Sequence, residues 1–293
     1  MQYILQLILT GLMVGMVYAL VAVGIVLIFK SSGVFNFAQG EFMLVGGYIG
    51  WMFAVQFGLN IWFSILLTLI SLFALGLGIE RLFLRGMIGK PIFATITMTI
   101  GISYILRGGT TMVWWGQSRA YPPVFPIKPL QLGFLRLPQE YIYIGVVSLL
   151  AIAIFMTVYR YTRLGLHMMA TAEDHQVSQS LGINVKRVFS LSWGISALIA
   201  AVAAVLLAAV NGINASFNFF GMKAFPVVIL GGAESIMGAL VGGLIIGVTE
   251  YLAIGLVDPL LPGFSLVTPF LVLMIFILFR PFGLFGLAKI ERI

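Results

Sequence analysis

The feature that most constrains this chain is a series of nine apolar stretches, eight of which contain no charged residue. A helix needs about 20 apolar residues to cross a bilayer. Two stretches, 42–56 and 224–233, are too short, and polar, glycine-containing sequence precedes each, as expected of broken or re-entrant helices. We predict an all-α, polytopic membrane protein with about 8–10 transmembrane or half-spanning helices in one domain, 1–293. The stretches are 3–29, 42–56, 61–79, 91–106, 141–159, 188–210, 224–233, 235–257 and 264–279.

The composition supports a membrane location, because 61% of residues are hydrophobic and only 9% are charged, whereas soluble domains are about 25% charged. The net charge of +7 is spread over short loops, so we expect the lipid bilayer, and not nucleic acid, as a partner. The absence of cysteine excludes disulfides and cysteine zinc sites. No basic residue precedes Lys30, so the first apolar stretch is expected to remain as a membrane helix.

Basic residues cluster in three polar segments, which the positive-inside rule places in the cytoplasm together with the C-terminus. The segment of about 114–140 then becomes the main external loop. Its five prolines stiffen it, and it serves either as a plain connector or as a contact surface for an external partner. The basic residues are Arg81, Arg85 and Lys90, then Arg160, Arg163, Lys186 and Arg187, and finally Lys289 and Arg292.

The longest polar interruption on the basic side is the segment of about 161–187. Apolar residues recur in it at helical intervals, Glu173 and Asp174 lie early in the pattern, and Gly182 is placed to end it. This predicts a short amphipathic helix. It either rests on lipid headgroups or docks into a protein groove, and an acidic early turn suits an anionic leaflet poorly.

Two segments resemble each other: FNFAQGEFMLVGG from Phe35 and FNFFGMKAFPVVILGG from Phe217. Each follows a long apolar stretch, and the loop assignments make those two stretches run in opposite directions. Such a pattern is expected of an inverted-topology repeat, in which broken helices meet near the middle of the membrane and line the substrate path.

Polar residues in or beside these apolar runs are candidates for the pathway, since a charge at the membrane centre costs about 2.5 to 3.5 kcal/mol on insertion scales. The alternative for each residue is an interfacial position or a structural ion pair. The same two interpretations apply to Glu250. Asn36 is a candidate cap of a half-helix, whose N-terminus suits a carboxylate. The candidate pathway residues are Asn36, Phe37, Gln39, Glu41, Lys223 and Glu234.

Glycines recur inside the apolar stretches with a spacing of four, which lets helices approach closely. Tight packing is the expected role of most of them. The pairs are Gly11 and Gly15, Gly46 and Gly50, Gly238 and Gly242, and Gly243 and Gly247.

No residue pattern predicts an enzyme. The two histidines, His167 and His175, both lie in the 161–187 segment, and the chain contains no GxxxxGK[ST] phosphate loop. We therefore expect no catalytic residue, metal or cofactor. If transport is ATP-driven, another subunit must supply the ATPase.

Four further segments stand in order along the chain: SSGVFNFAQGEFMLVGGYIG from Ser31, RLGLHMMATAEDHQVSQSLGIN from Arg163, GMKAFPVVILGGAESIMGALVGGLIIGVTE from Gly221 and RPFGLFG from Arg280. Through these four segments the chain resembles the permease subunits of bacterial ATP-binding cassette (ABC) importers for branched-chain amino acids, as in hydrophobic amino acid uptake systems. This chain departs from the family's usual pattern at His167, where a basic residue is common nearby, and at Ala233-Glu234, where a small pair is usual.

The resemblance implies a non-catalytic permease of the bacterial inner membrane. Its implied partners are a second related permease, two cytoplasmic ATP-binding subunits and a periplasmic substrate-binding protein. The resemblance also implies that the 161–187 segment engages the ATPase. The implied coupling residues are Ala170, Ala172, Glu173, Asp174, Leu181, Gly182, Ile183 and Asn184.

The function expected from this resemblance is the ATP-driven import of leucine, isoleucine and valine by alternating access. A permease for urea or short amides stays open as an alternative. An ion-coupled secondary transporter or channel is a second alternative, although it would require a denser set of intramembrane carboxylates. An integral-membrane enzyme would need a convergent polar constellation, which the sequence does not suggest.

Overall fold

The structure, a computed structural model, describes residues 1–126, 128–132 and 135–286. Almost all of its regular structure is helical. The helices are α1 (Gln2–Ser32), α2 (Gln39–Trp51), α3 (Ile61–Ile79), α4 (Ile92–Trp114), α5 (Gln139–Tyr161), α6 (Arg163–Glu173), α7 (His175–Ser180), α8 (Val185–Asn211), α9 (Asn218–Met222), α10 (Ala224–Gly231), α11 (Ile236–Leu256) and α12 (Phe264–Phe279). A π-helical turn, Met52–Gln56, extends α2, and a π turn, Glu80–Leu84, and a 3₁₀ turn, Arg85–Met87, extend α3.

Six helices of the described chain are long and apolar enough to cross a membrane: α1, α3, α4, α5, α8 and α11. Three shorter segments join them, namely α2, the α9–α10 pair and α12. The prediction of an all-α membrane protein with about 8–10 spanning or half-spanning segments is therefore confirmed. The two stretches that are too short to cross alone become α2 and α10.

Helix α1 is the centre of the bundle. Its residues from Val17 to Ile28 are almost completely buried, and it packs against α5, α8, α10 and α11. A helix that is apolar on every side is stable only when other helices or lipid cover it. Helices α4 and α12, in contrast, leave most of their apolar side chains on the surface of the chain.

Glycines allow α1 and α11 to pack with their backbones in contact. A Cβ atom on Gly15 would lie 2.6 Å from the carbonyl oxygen of Gly243, and one on Gly243 would lie 2.6 Å from that of Gly15. Gly11 and Gly247 face each other in the same way. The expectation that these spaced glycines serve tight packing is met at this crossing.

The basic loops gather at one end of the bundle. The end of α1 and the start of α8 meet the turn after α3 there, since Ser32, Lys90 and Phe189 line one cavity. Lys30 and Arg160 line a neighbouring cavity at the ends of α1 and α5. Lys289 and Arg292, the third predicted basic cluster, lie outside the described residues.

The 114–140 segment lies at the opposite end and folds back onto the bundle. Arg119 exchanges two backbone hydrogen bonds with Ile213, at 2.8 and 3.0 Å, and the Tyr48 hydroxyl donates to the Gln117 carbonyl at 2.9 Å. The segment includes a short antiparallel pair, β1 (Pro129–Leu132) and β2 (Leu135–Pro138). The loop is thus anchored to the bundle rather than free.

Asp258 closes the turn between α11 and α12. It accepts hydrogen bonds from the Ser265 hydroxyl at 2.6 Å and the Ser265 backbone N–H at 2.9 Å. These two bonds lower the pKa of the Asp258 carboxyl below its ordinary value. The contact therefore holds above the ordinary carboxyl pKa and is lost as the pH falls through the lowered one.

We predict opposite effects of one methyl group at two helical glycines. Gly243→Ala places a Cβ against backbone atoms of α1 and should lower the stability by about 1 to 3 kcal/mol. Gly101→Ala, where a Cβ meets no atom within 4 Å, should instead stabilise α4 by up to about 1 kcal/mol. Thermal unfolding of both variants in detergent checks this. Equal melting temperatures would contradict the proposed close contact.

Candidate functional site

The 161–187 segment forms two short helices where we predicted one. Helix α6 ends at Glu173, and Asp174 then caps α7 by accepting hydrogen bonds from the backbone N–H groups of Gln176 and Val177, at 2.7 and 3.0 Å. The prediction of a single helix with Glu173 and Asp174 early in it is therefore wrong. The periodicity runs across the break because a capping aspartate can start a new helix without changing the apolar spacing.

Some of the other predicted coupling residues shape the ends of the helices, and others are exposed to solvent. Gly182 ends α7 in the left-handed conformation, with φ +81°, as expected of a glycine stop. The Asn184 side chain caps α8 by accepting from the Arg187 N–H at 3.1 Å, while Ile183 and Ala170 are half-buried. Ala172, Glu173 and His167 are exposed.

Apolar side chains at the surface of this segment form what we call the loop's exposed apolar set: Leu166, Val177 and Leu181. They are 63%, 55% and 73% exposed. Met168 and Thr171 on the same loop are buried against the bundle. The loop therefore has buried residues against the bundle and leaves several large apolar side chains exposed.

The two similar segments that begin at Phe35 and Phe217 meet in the structure. A Cβ on Gly40 of α2 would lie 2.6 Å from the carbonyl oxygen of Asn218, and a Cβ on Gly221 would overlap the backbone of Gly40. The preceding helices, α1 and α8, run in opposite directions, since the end of one meets the start of the other. This is the geometry expected of an inverted repeat with its broken helices in contact.

Asn36 and Gln39 are completely buried in a hydrogen-bond network. The Asn36 amide donates to Gln39 at 3.0 Å, and the Gln39 amide donates to the Ser196 carbonyl at 3.3 Å. The Ser196 hydroxyl lies 2.9 Å from both the Gln39 side-chain oxygen and the Gly24 carbonyl oxygen. Asn36 accepts from the Ala38 N–H before α2 begins and is not its N-cap. These two residues hold α2 against α1 and α8.

Phe37 and Glu41 line a cleft of about 330 Å³ between α2, α4, α9, α10 and α12. The Phe37 ring stacks on Phe225 with centroids 4.9 Å apart, so the two similar segments also share this wall. Glu41 is 6% exposed, and its carboxylate accepts a hydrogen bond from the Asn218 amide at 3.1 Å. The remaining lining residues are Ile100, Ser103, Tyr104, Arg107, Met222 and Phe270.

Lys223 and Glu234 do not reach this cleft. The Lys223 ammonium, 6% exposed, lies 2.5 Å from the Glu250 carboxylate and over the rings of Phe220 and Tyr18. Glu234 lies at the basic end, near Lys30, in the turn before α11. Lys223 therefore fits the alternative of a structural ion pair. Glu234 lies in a different region from the other candidate pathway residues.

Sequence reasoning missed Arg107 and Asn218. Arg107 ends the predicted stretch 91–106, but α4 continues to Trp114, so its guanidinium group belongs inside a membrane helix. The apolar residues after it were a signal that the helix does not stop there. Asn218 occupies the position in its segment that Asn36 occupies in the other, and that correspondence could have identified it.

We predict that the buried Lys223–Glu250 pair supports stability and not transport. Lys223→Met leaves a buried, unpaired carboxylate and should cost about 3 to 5 kcal/mol. Combining it with Glu250→Leu should restore most of that loss, because both charges are then gone. Thermal unfolding and substrate uptake should both recover in the double variant. If the double variant is stable but takes up no substrate, Lys223 is a pathway residue and the prediction is wrong.

The model of the family described as "Branched-chain amino acid transport system / permease component" matches residues 7–279. The chain is 32% identical to the high-affinity branched-chain amino acid transport system permease protein BraD of Pseudomonas aeruginosa, covering 99% of this chain and 98% of that one. It is 31% identical to the permease protein LivH of Escherichia coli K12, with the same coverage.

Among solved structures, PsaBC from Streptococcus pneumoniae in complex with Fab is similar, with a TM-score of 0.49 and 16% identity, over 96% of this chain and 93% of that one. The family model extends from residue 7, within α1, to residue 279 at the end of α12. This chain belongs to the family of permease components of branched-chain amino acid transport systems.

Proposed function

We propose that this chain is one membrane subunit of an ATP-driven importer that carries branched-chain, hydrophobic amino acids across the bacterial inner membrane. The observation that carries the proposal is similarity over essentially the whole chain to permeases named for that transport. The cleft at the meeting point of the two broken helices supports it, because a translocation path needs a polar, protein-lined site within the membrane.

We propose four partner subunits of three kinds, each matched to a surface of this chain. A second related permease would complete the pathway beside the exposed faces of α4 and α12. Two cytoplasmic ATP-binding subunits would hydrolyse ATP and grip the 161–187 segment, and a periplasmic binding protein would deliver the amino acid to the end that carries the 114–140 segment. The basic end then faces the cytoplasm, together with the C-terminus.

Coupling would pass through the loop that carries α6 and α7. The exposed apolar set offers side chains that an ATPase groove can bury. Gly165 allows α6 to pack closely against the end of α5, since a Cβ there would overlap the Tyr159 carbonyl. Closure of the ATPases would move this loop, and α5 and α8, which flank it, would carry the motion to the cleft.

The experiment is uptake into proteoliposomes that contain the complete complex and its binding protein. Labelled leucine, isoleucine and valine should accumulate only with ATP inside the compartment that holds the ATPases. Urea and acetamide, tested in parallel, should not accumulate. Uptake that follows an imposed ion gradient without ATP would overturn the proposal in favour of a secondary transporter.

For the coupling loop, we predict that Leu181→Asp reduces ATP-driven uptake at least tenfold and reduces the ATPase that co-purifies. A carboxylate cannot be buried in an apolar groove without a large desolvation cost. Gln179→Asp, two residues earlier in α7, is the matched control, since it adds the same charge at an exposed polar position. Equal uptake by the two variants would argue against docking through Leu181.

A further inference from the structure

We propose that the cleft between α2, α4, α9, α10 and α12 is a binding site for a zwitterionic amino acid, with Glu41 and Asn218 receiving the α-ammonium group and Arg107 the α-carboxylate. This inference rests on the proposed function and adds to it a site and a mode of recognition. It assigns to this chain part of the selectivity that would otherwise belong only to an external binding protein.

Opposite charges line the cleft without neutralising each other directly. Glu41 and Arg107 both line it and are close enough to interact electrostatically, yet the described residues form no ion pair between them within 4 Å. A carboxylate and a guanidinium group inside a membrane protein are costly unless each finds a partner. A ligand that carries both charges a short distance apart satisfies both at once.

The acidic side of the cleft has an unused acceptor. Asn218 is 1% exposed, and its Nδ2 group donates to Glu41, but its Oδ1 atom has no hydrogen-bond partner among the described residues. Buried polar atoms without partners are rare and call for an explanation. An ammonium group has three donors, so it can bind the Glu41 carboxylate and the Asn218 oxygen together.

The basic side suits a carboxylate. The Arg107 guanidinium is exposed at the cleft, and its planar fork can donate two parallel hydrogen bonds to a carboxylate. A neutral solute such as urea or acetamide offers neither charge, so it would leave both Glu41 and Arg107 unpaired.

Apart from Ser103 and the hydroxyl of Tyr104, the rest of the wall is apolar. Phe37 and Phe225 stack on each other, and Ile100 and Phe270 extend the surface. An aliphatic side chain can be buried there, at about 25 cal/mol per Å² of apolar area. The volume, about 330 Å³, is at the small end of the usual range for ligand sites, which fits one small amino acid.

The test measures binding of three compounds to the complete permease–ATPase complex in nanodiscs, without the external binding protein. They are leucine, 3-methylbutylamine, which lacks the carboxylate, and 4-methylpentanoate, which lacks the amine. Equilibrium dialysis against empty nanodiscs corrects for partition into lipid. Arg81→Gln, at an exposed arginine outside the cleft, is the control variant.

We expect Arg107→Gln to weaken leucine binding at least tenfold. Binding of 3-methylbutylamine should not change, because that compound has no carboxylate for Arg107 to bind. Glu41→Gln should weaken leucine to a similar extent and leave 4-methylpentanoate unchanged. A glutamine at position 41 still accepts from the Asn218 amide, so the wall of the cleft is retained. Arg81→Gln should bind all three compounds as the unsubstituted complex does.

Two results would overturn the site. One is a loss that is equal for all three compounds in both variants, which would mean a structural role. The other is an absence of saturable leucine binding to the unsubstituted complex while that complex still imports leucine with ATP. An unsubstituted complex that imports no amino acid with ATP would overturn the proposed function itself.

Discussion

The constraint on which the rest of this structure depends is that helices ending inside a bilayer must have their polar ends covered by protein. Helices α2 and α10 are too short to cross a bilayer alone. The backbone contact between Gly40 and the α9 segment joins these broken parts. The network of Asn36, Gln39 and Ser196 then satisfies the polar groups at the start of α2. The close packing of α1 on α11 holds the surrounding bundle together.

The same constraint explains why a polar cleft lies where it does. A broken helix exposes its first N–H groups, and loops beside it can carry side chains that a continuous apolar helix would exclude. Glu41 in the first turn of α2 and Asn218 at the start of α9 are such residues. The contact between the two similar segments therefore joins the broken helices and also forms the cleft beside them. The buried ion pair of Lys223 and Glu250 lies outside the lining of this cleft.

Much of this could be predicted from local patterns, and the remainder depends on distances between remote residues. The membrane segments, the spaced glycines of α1 and α11, and the glycine stop at Gly182 are properties of short windows of sequence. The pairing of Lys223 with Glu250 is not, because 27 residues separate them. Arg107 was missed because a charge ends an apolar window even when the helix continues. The break at Asp174 was missed because capping leaves the periodicity unchanged.

The most direct measurement uses the absence of native cysteine. Ser103→Cys places one thiol in the cleft, and Ile154→Cys places one on the outer surface of α5. In the assembled complex, a water-soluble thiol reagent should label position 103 and not 154, and leucine should protect position 103. If position 103 is as unreactive as 154 in every nucleotide state, or reacts equally with and without leucine, then the meeting point of the broken helices is not the amino acid path.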